Sequence, residues 1–102
     1  MHTLYPHYIG HYIGLDVHDC PSISRAVKLT SGMTITIEPG LYIPDEEIYG
    51  DFRGIGVRIE DNIVIGDAQT GGPINLTAEA PKEAKDIEAI MSGDISVASW
   101  DK

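Results

Sequence analysis

The chain has 102 residues, 42% of them hydrophobic, so it suits one small domain or part of a larger one and is not a disordered tail by composition. Its formal net charge is −9 and its seven basic residues are scattered. That disfavours nucleic acid and anionic membranes as partners, because phosphate contacts need clustered Lys and Arg.

Cys20 is the single cysteine, so no internal disulfide forms, and no apolar run approaches the ~18 residues of a membrane span. Residues 1–19 repeat a His-Tyr-Ile-Gly unit, His7 to Gly10 and His11 to Gly14. A period of four suits a helix. The two glycines oppose one, and the aromatic and β-branched content favours a strand kinked at the glycines. Residues 20–32, with Pro21, Ser22, Ser24 and Thr30-Ser31-Gly32, read as a loop. Met33 to Glu38 alternates, with Met33, Ile35 and Ile37 on one face and Thr34, Thr36 and Glu38 on the other. This predicts a half-buried strand, ended by Pro39-Gly40. Leu41 to Pro44 continues it briefly, and Asp45 to Asp51 reads as an acidic turn or hairpin loop.

Phe52 to Glu60 reads as a further strand, with Val57 and Ile59 on one face and Gly56, Arg58 and Glu60 on the other. Asp61-Asn62 is expected to bulge or turn before Ile63 to Ile65 continues the sheet. Gly66 to Pro73 is a polar turn and Ile74 to Leu76 a last short strand. Pro81 to Ser92 is the clear helix, with Pro81 at the first helical position, Glu83 at the positive end of the dipole and Gly93 as the stop. Ala84, Ile87, Ile90 and Met91 make its apolar stripe. Asp94 to Lys102 lacks periodicity and reads as a loose tail. The fold class is α+β, antiparallel strands followed by one helix.

Three segments place metal-competent side chains beside glycine or proline: His7 to Asp19, Thr36 to Gly40, and Gly56 to Asp61. Pro39 biases Glu38 away from helical backbone and so restrains a carboxylate. Arg58, two residues before Glu60 on one strand face, can orient that carboxylate without competing for metal. One imidazole and two carboxylates suit Mn²⁺, Zn²⁺, Co²⁺ or Fe²⁺. By spacing alone each element also fits a plainer role. His11 then is a hydrogen-bonded structural histidine, Glu38 a strand end entering a turn, and Arg58 with Glu60 a surface ion pair of small value. The run Asp45-Glu46-Glu47 is a solvated loop, and Cys20 is a passive residue.

The segments Gly10-His11-Tyr12-Ile13-Gly14-Leu15-Asp16-Val17-His18-Asp19, Gly32 to Ile43 and Phe52 to Asn62 occur in that order. Together they resemble the C-terminal half of aminopeptidase P, the Xaa-Pro aminopeptidases of the pita-bread metallopeptidase family. Ala80-Pro81-Lys82-Glu83 and Asp86-Ile87-Glu88 resemble the end of that domain, particularly of the mitochondrial type. The resemblance covers residues 5–92 and implies a curved antiparallel sheet with a C-terminal helix. Residues 1–80 are then the strand part of a partial catalytic domain, 81–93 its closing helix and 94–102 a flexible tail.

What the resemblance implies for the site is specific. His11 matches a histidine ligand, Glu38 a glutamate that binds one metal and assists proton transfer, and Glu60 a glutamate that bridges both metals. His18 matches a non-ligand histidine that hydrogen-bonds substrate or the tetrahedral intermediate, and His7 and Arg58 match residues that line or support the pocket. The cofactors implied are two divalent ions, Mn²⁺ first, with Zn²⁺ or Co²⁺ as alternatives. The substrates implied are peptides with proline at the second position. A homodimer of the full-length protein and a mitochondrial location are expected, a cytoplasmic one being the alternative.

The chain also departs from the pattern. The family's two aspartate ligands precede the histidine motif, and nothing before His7 supplies them. Asp16 and Asp19 belong to the histidine motif and do not fill those places. The expectation is a fragment or short form with weak metal binding that is inactive alone. Prolidase or related pita-bread chemistry is the alternative within the fold. A non-catalytic short form that binds a partner through an exposed apolar face is the alternative outside it.

Overall fold

A computed structural model describes residues 4–94. The strands are β1 (Thr34–Ile37), β2 (Gly40–Tyr42), β3 (Gly56–Arg58), β4 (Asp61–Val64) and β5 (Ile74–Asn75), followed by one helix, α1 (Ala84–Met91). β1 pairs with β4 and β4 with β5; β2 pairs with β3; all pairs are antiparallel.

These two ladders are one long hairpin with a constant register. Ile37 faces Asp61 on one side of the break and Gly40 faces Arg58 on the other. Between them the Ile59 N–H donates to the Pro39 carbonyl at 3.1 Å. Proline has no N–H to return the second bond, so the ladder is interrupted there without a change of register. Asp61 is accordingly paired within β4, and the bulge expected at Asp61-Asn62 is not formed.

The N-terminal segment lies antiparallel beside β1. Ile13 donates to the Thr34 carbonyl, Thr36 to that of His11 and Glu38 to that of Ile9, at 3.3, 2.9 and 2.6 Å. It is an extended edge, and of the kinked strand expected over 1–19 only Tyr12 among the described residues forms bridges, to Ile35 and Asp19. Residues 20–32 contain no helix or strand.

Two further elements differ from the sequence reading. Within the stretch expected as an acidic turn or hairpin loop, Glu47–Phe52 forms 3-10 turns kinked at Gly50 (φ 54°, ψ −128°), and Ile55 donates back to the Phe52 carbonyl, so the strand expected from Phe52 starts at Gly56. The final helix begins at Ala84 rather than Pro81, because Glu83 keeps extended dihedrals (φ −67°, ψ 136°). It ends as expected at Gly93, whose φ of +85° admits the left-handed turn that closes a helix.

The alternation in β1 is present, but the covered face is the polar one. Thr36 and Glu38 are 3% and 8% exposed, whereas Ile37 is exposed. Leu41, Val57 and Ile59 occupy the same face as Ile37 by register and are exposed too. No apolar side chain among the described residues is fully buried, and no described helix is long and apolar enough to cross a membrane. Residues 95–102, most of the expected tail, lie outside the described residues.

Candidate active site

Strand β1 fixes His11 twice. The His11 N–H donates to Thr36 Oγ1 at 3.0 Å, and the His11 carbonyl accepts from the Thr36 N–H. Gly10 makes this closeness feasible, since a Cβ there would collide with the Thr36 carbonyl.

The His11 ring then has one arrangement in its neutral form. Nδ1 lies 2.7 Å from the Tyr12 carbonyl, which only accepts, so Nδ1 carries the proton. The bare Nε2 faces Glu38 Oε2 at 3.4 Å, with both side chains largely covered. Two lone-pair atoms pointed at each other call for a cation between them. Two ligands ~2.1 Å from one ion lie about 3.0–3.4 Å apart, so the spacing fits a metal as well as a shared proton.

Continuing the register from Ile37 and Gly40 places Glu60 opposite Glu38. That position falls between the hydrogen-bonded pairs, where side chains approach most closely. Glu60 itself is exposed, and the described residues contain no group of three or more His, Cys, Asp or Glu side chains drawn together enough to hold an ion. The donor set therefore fits at the His11–Glu38 pair, and Glu60 stands in register with it without completing a cluster.

His18 is exposed and meets His11 edge-on, with ring centroids 4.8 Å apart. The Tyr12–Asp19 bridge folds it back, and Asp19 Oδ2 accepts the Asp16 N–H at 2.8 Å. Asp19 is thus engaged in shaping the loop. His7 donates from Nδ1 to the Tyr8 carbonyl at 2.7 Å, and its Nε2 accepts from the Tyr42 hydroxyl at 2.8 Å. Arg58 is exposed, shares the Glu38 and Glu60 face by register, and makes no ion pair with Glu60. A cleft of about 570 Å³ opens beside the two histidines, lined by Ile9, His11, His18, Ile23, Val27 and Ile35 among others.

Sequence reasoning passed over Thr36, Tyr42 and Lys82. The first two carried a signal, for they alternate with Glu38 and so share its strand face. Lys82 Nζ lies 2.8 Å from Asp61 Oδ1, and the Thr77 hydroxyl donates to the same oxygen at 2.6 Å. Hydrogen bonds from Lys82 first, then from Thr77, hold the Asp61 carboxyl below the usual aspartate range.

Residues 1–67 match metallopeptidase family M24. Intermediate cleaving peptidase 55 of Saccharomyces cerevisiae is 57% identical over 95 residues, covering 91% of this chain and 18% of the relative. Human Xaa-Pro aminopeptidase 3 is 52% identical over 89 residues, 85% of this chain and 17% of the relative. The solved structure of zinc-substituted Escherichia coli aminopeptidase P with product superposes with a TM-score of 0.75 at 43% identity, over 89% of this chain and 21% of that one.

The antiparallel sheet and helix are thus part of the pita-bread fold of aminopeptidase P. The chain belongs to metallopeptidase family M24. It spans less than a fifth of the length of the two relatives.

Proposed function

We propose that this chain is the part of a two-metal aminopeptidase that supplies three of its ligands, and that the whole enzyme removes an N-terminal residue preceding proline. The observation that carries the reading is the His11–Glu38 pair, two acceptors 3.4 Å apart with Glu60 in register across the hairpin. His11, Glu38 and Glu60 would hold two divalent ions, Mn²⁺ by preference and Zn²⁺ or Co²⁺ as alternatives. When bound, such a pair supplies a water of lowered pKa and Lewis acidity at the scissile carbonyl.

The remaining chemistry falls to the side chains. Glu38 passes the proton of the attacking water toward the leaving amine. His18, edge-on to His11 at the mouth of the cleft, donates a hydrogen bond to the oxygen on which charge develops. The Tyr42 hydroxyl holds His7 in place, and His7 and Arg58 line the peptide's path. The two aspartate ligands that the family resemblance implies come from outside the matched motifs. A mitochondrial location and a homodimer belong to the same proposal.

The test joins this segment to the aspartate-bearing part of the domain and assays Xaa-Pro peptide cleavage with Mn²⁺. His11→Ala and Glu60→Ala should each lower kcat/KM at least about a hundredfold, the upper range seen when even an outer-shell partner of a metal ligand is lost. Activity unchanged in either variant rejects the site. Cleavage of dipeptides alone would turn the substrate reading to prolidase. A second reading, favoured by the exposed Ile37, Leu41, Val57 and Ile59, is that the chain by itself acts by docking to a partner.

A further inference from the structure

The third strand of the main sheet is short. β5 pairs only with Ile63 and Val64, through Asn75 and Ile74. The first two residues of β4, Asp61 and Asn62, therefore lie beyond its end. Their outer side is occupied instead by the segment leading to α1. The Leu76 N–H donates to the Asn62 carbonyl at 2.8 Å, and the Asn62 N–H donates to Thr77 Oγ1 at 3.1 Å. Lys82 closes the arrangement. Its ammonium lies 2.8 Å from Asp61 Oδ1, 2.8 Å from the Thr77 carbonyl and 3.0 Å from the Ala80 carbonyl. An ammonium has three protons to donate, and each here has an acceptor.

The location gives this tripod its consequence. Asp61 follows Glu60 directly and pairs with Ile37, the residue before Glu38. On the other side of the carboxylate pair, Pro39 gives the ladder only one bond. The backbone presenting Glu60 is thus weakly held on its β3 side and clamped on its β4 side. Alternation turns Asp61 to the face opposite Glu60, so the clamp acts through backbone and leaves the Glu60 carboxylate free for ligation.

We propose that Lys82 is a positioning residue, fixing Asp61 and through it the backbone that sets Glu60 opposite Glu38. The function assigned to Glu60 rests on the peptidase reading; the clamp rests on the geometry above. Lys82→Met removes the ammonium and keeps most of the aliphatic stem. Lys85→Met, on exposed α1 surface, is the control. Thr77→Val, a second variant, removes the hydroxyl that donates to Asp61 and accepts the Asn62 N–H.

Measured in the full-length protein by amide exchange and Mn²⁺ titration, Lys82→Met should speed exchange at Asn62 and weaken Mn²⁺ binding about tenfold, the lower range for loss of an outer-shell partner. Peptide KM should stay near wild type, Thr77→Val should speed exchange at Asn62 directly by removing its acceptor and weaken Mn²⁺ binding by less than Lys82→Met, and Lys85→Met should shift neither. Faster exchange or a lower melting temperature with unaltered Mn²⁺ affinity would make Lys82 a merely structural residue and overturn the proposal, as would no change in either readout. Wild-type protein that binds no Mn²⁺ would overturn the peptidase reading instead, and exchange at Asn62 would then judge the clamp alone.

Discussion

Gly10 is the residue on which the histidine's placement turns. His11 reaches Glu38 because its backbone lies against Thr36, and a Cβ at position 10 would collide with the carbonyl that Thr36 presents there. Gly10→Ala should destabilise the protein by about 1–3 kcal/mol, the range for overpacking a tight contact, as read from denaturant melts. It should also weaken metal binding, because His11 moves with its neighbour. A variant as stable as wild type would show that the close approach is not needed. At this scale the motifs around His11, Glu38 and Glu60 single these residues out as candidates. Spacing alone left each with a plainer role, because the Nε2–Oε2 contact joins residues that local pattern does not connect. Lys82 was illegible for the same reason: its partner Asp61 lies on another element, and a lysine before a helix carries no distinctive local sign.

Among the elements, the Gly66 to Pro73 turn shows how a polar run becomes a defined structure. Asp67 Oδ1 accepts the Gln69 and Thr70 N–H groups at 2.8 and 2.9 Å, and Oδ2 accepts the Ser31 hydroxyl at 3.3 Å. The backbone bonds from Thr70 and then Gln69 hold the carboxyl below the usual aspartate range. A depressed folded pKa contributes stability that is present above the unfolded value, about 3.9, and is lost as pH falls through the lower folded value. The Asp67 carboxyl carbon, followed by NMR, should titrate with a midpoint below about 3.9, and the turn should loosen only in that acid window. A midpoint at or above that value would remove Asp67 from the turn's stability. The turn itself was legible from its Gly, Asp and Thr content, as was β1 from its period of two. The start of α1 was not. Pro81 suits a first helical position, but the Lys82 ammonium engages the Thr77 and Ala80 carbonyls and Glu83 stays extended, so the helix waits until Ala84. The 3-10 turns at Glu47–Phe52 were not told apart from a hairpin loop, because an acidic stretch of that length fits either.

For the whole molecule, the sheet has two unlike faces, and burial is deepest on the polar one, at Thr36 and Glu38. Thr36 and Glu38 are the buried positions among the described residues, while Ile37, Leu41, Val57 and Ile59 stand open on the other face. Composition forecast enough apolar material for a core, but not that the sheet would leave it on an open face. An open face of β-branched and aliphatic side chains binds apolar dyes and favours association. The 102-residue chain should therefore enhance the fluorescence of an anilinonaphthalene dye strongly. Replacing Leu41 and Val57 together by lysine should abolish most of that enhancement while far-UV circular dichroism stays unchanged, since neither side chain is buried. Leu15→Lys, on a separate exposed loop, should leave the dye signal near wild type. Joining the chain to the rest of a pita-bread domain should quench the dye without any substitution, because apolar sheet faces are stable when another layer covers them. Dye binding that survives the double lysine change would move the sticky surface elsewhere, and dye binding that survives joining would mean that this face is kept open for a partner rather than for the interior of the joined domain.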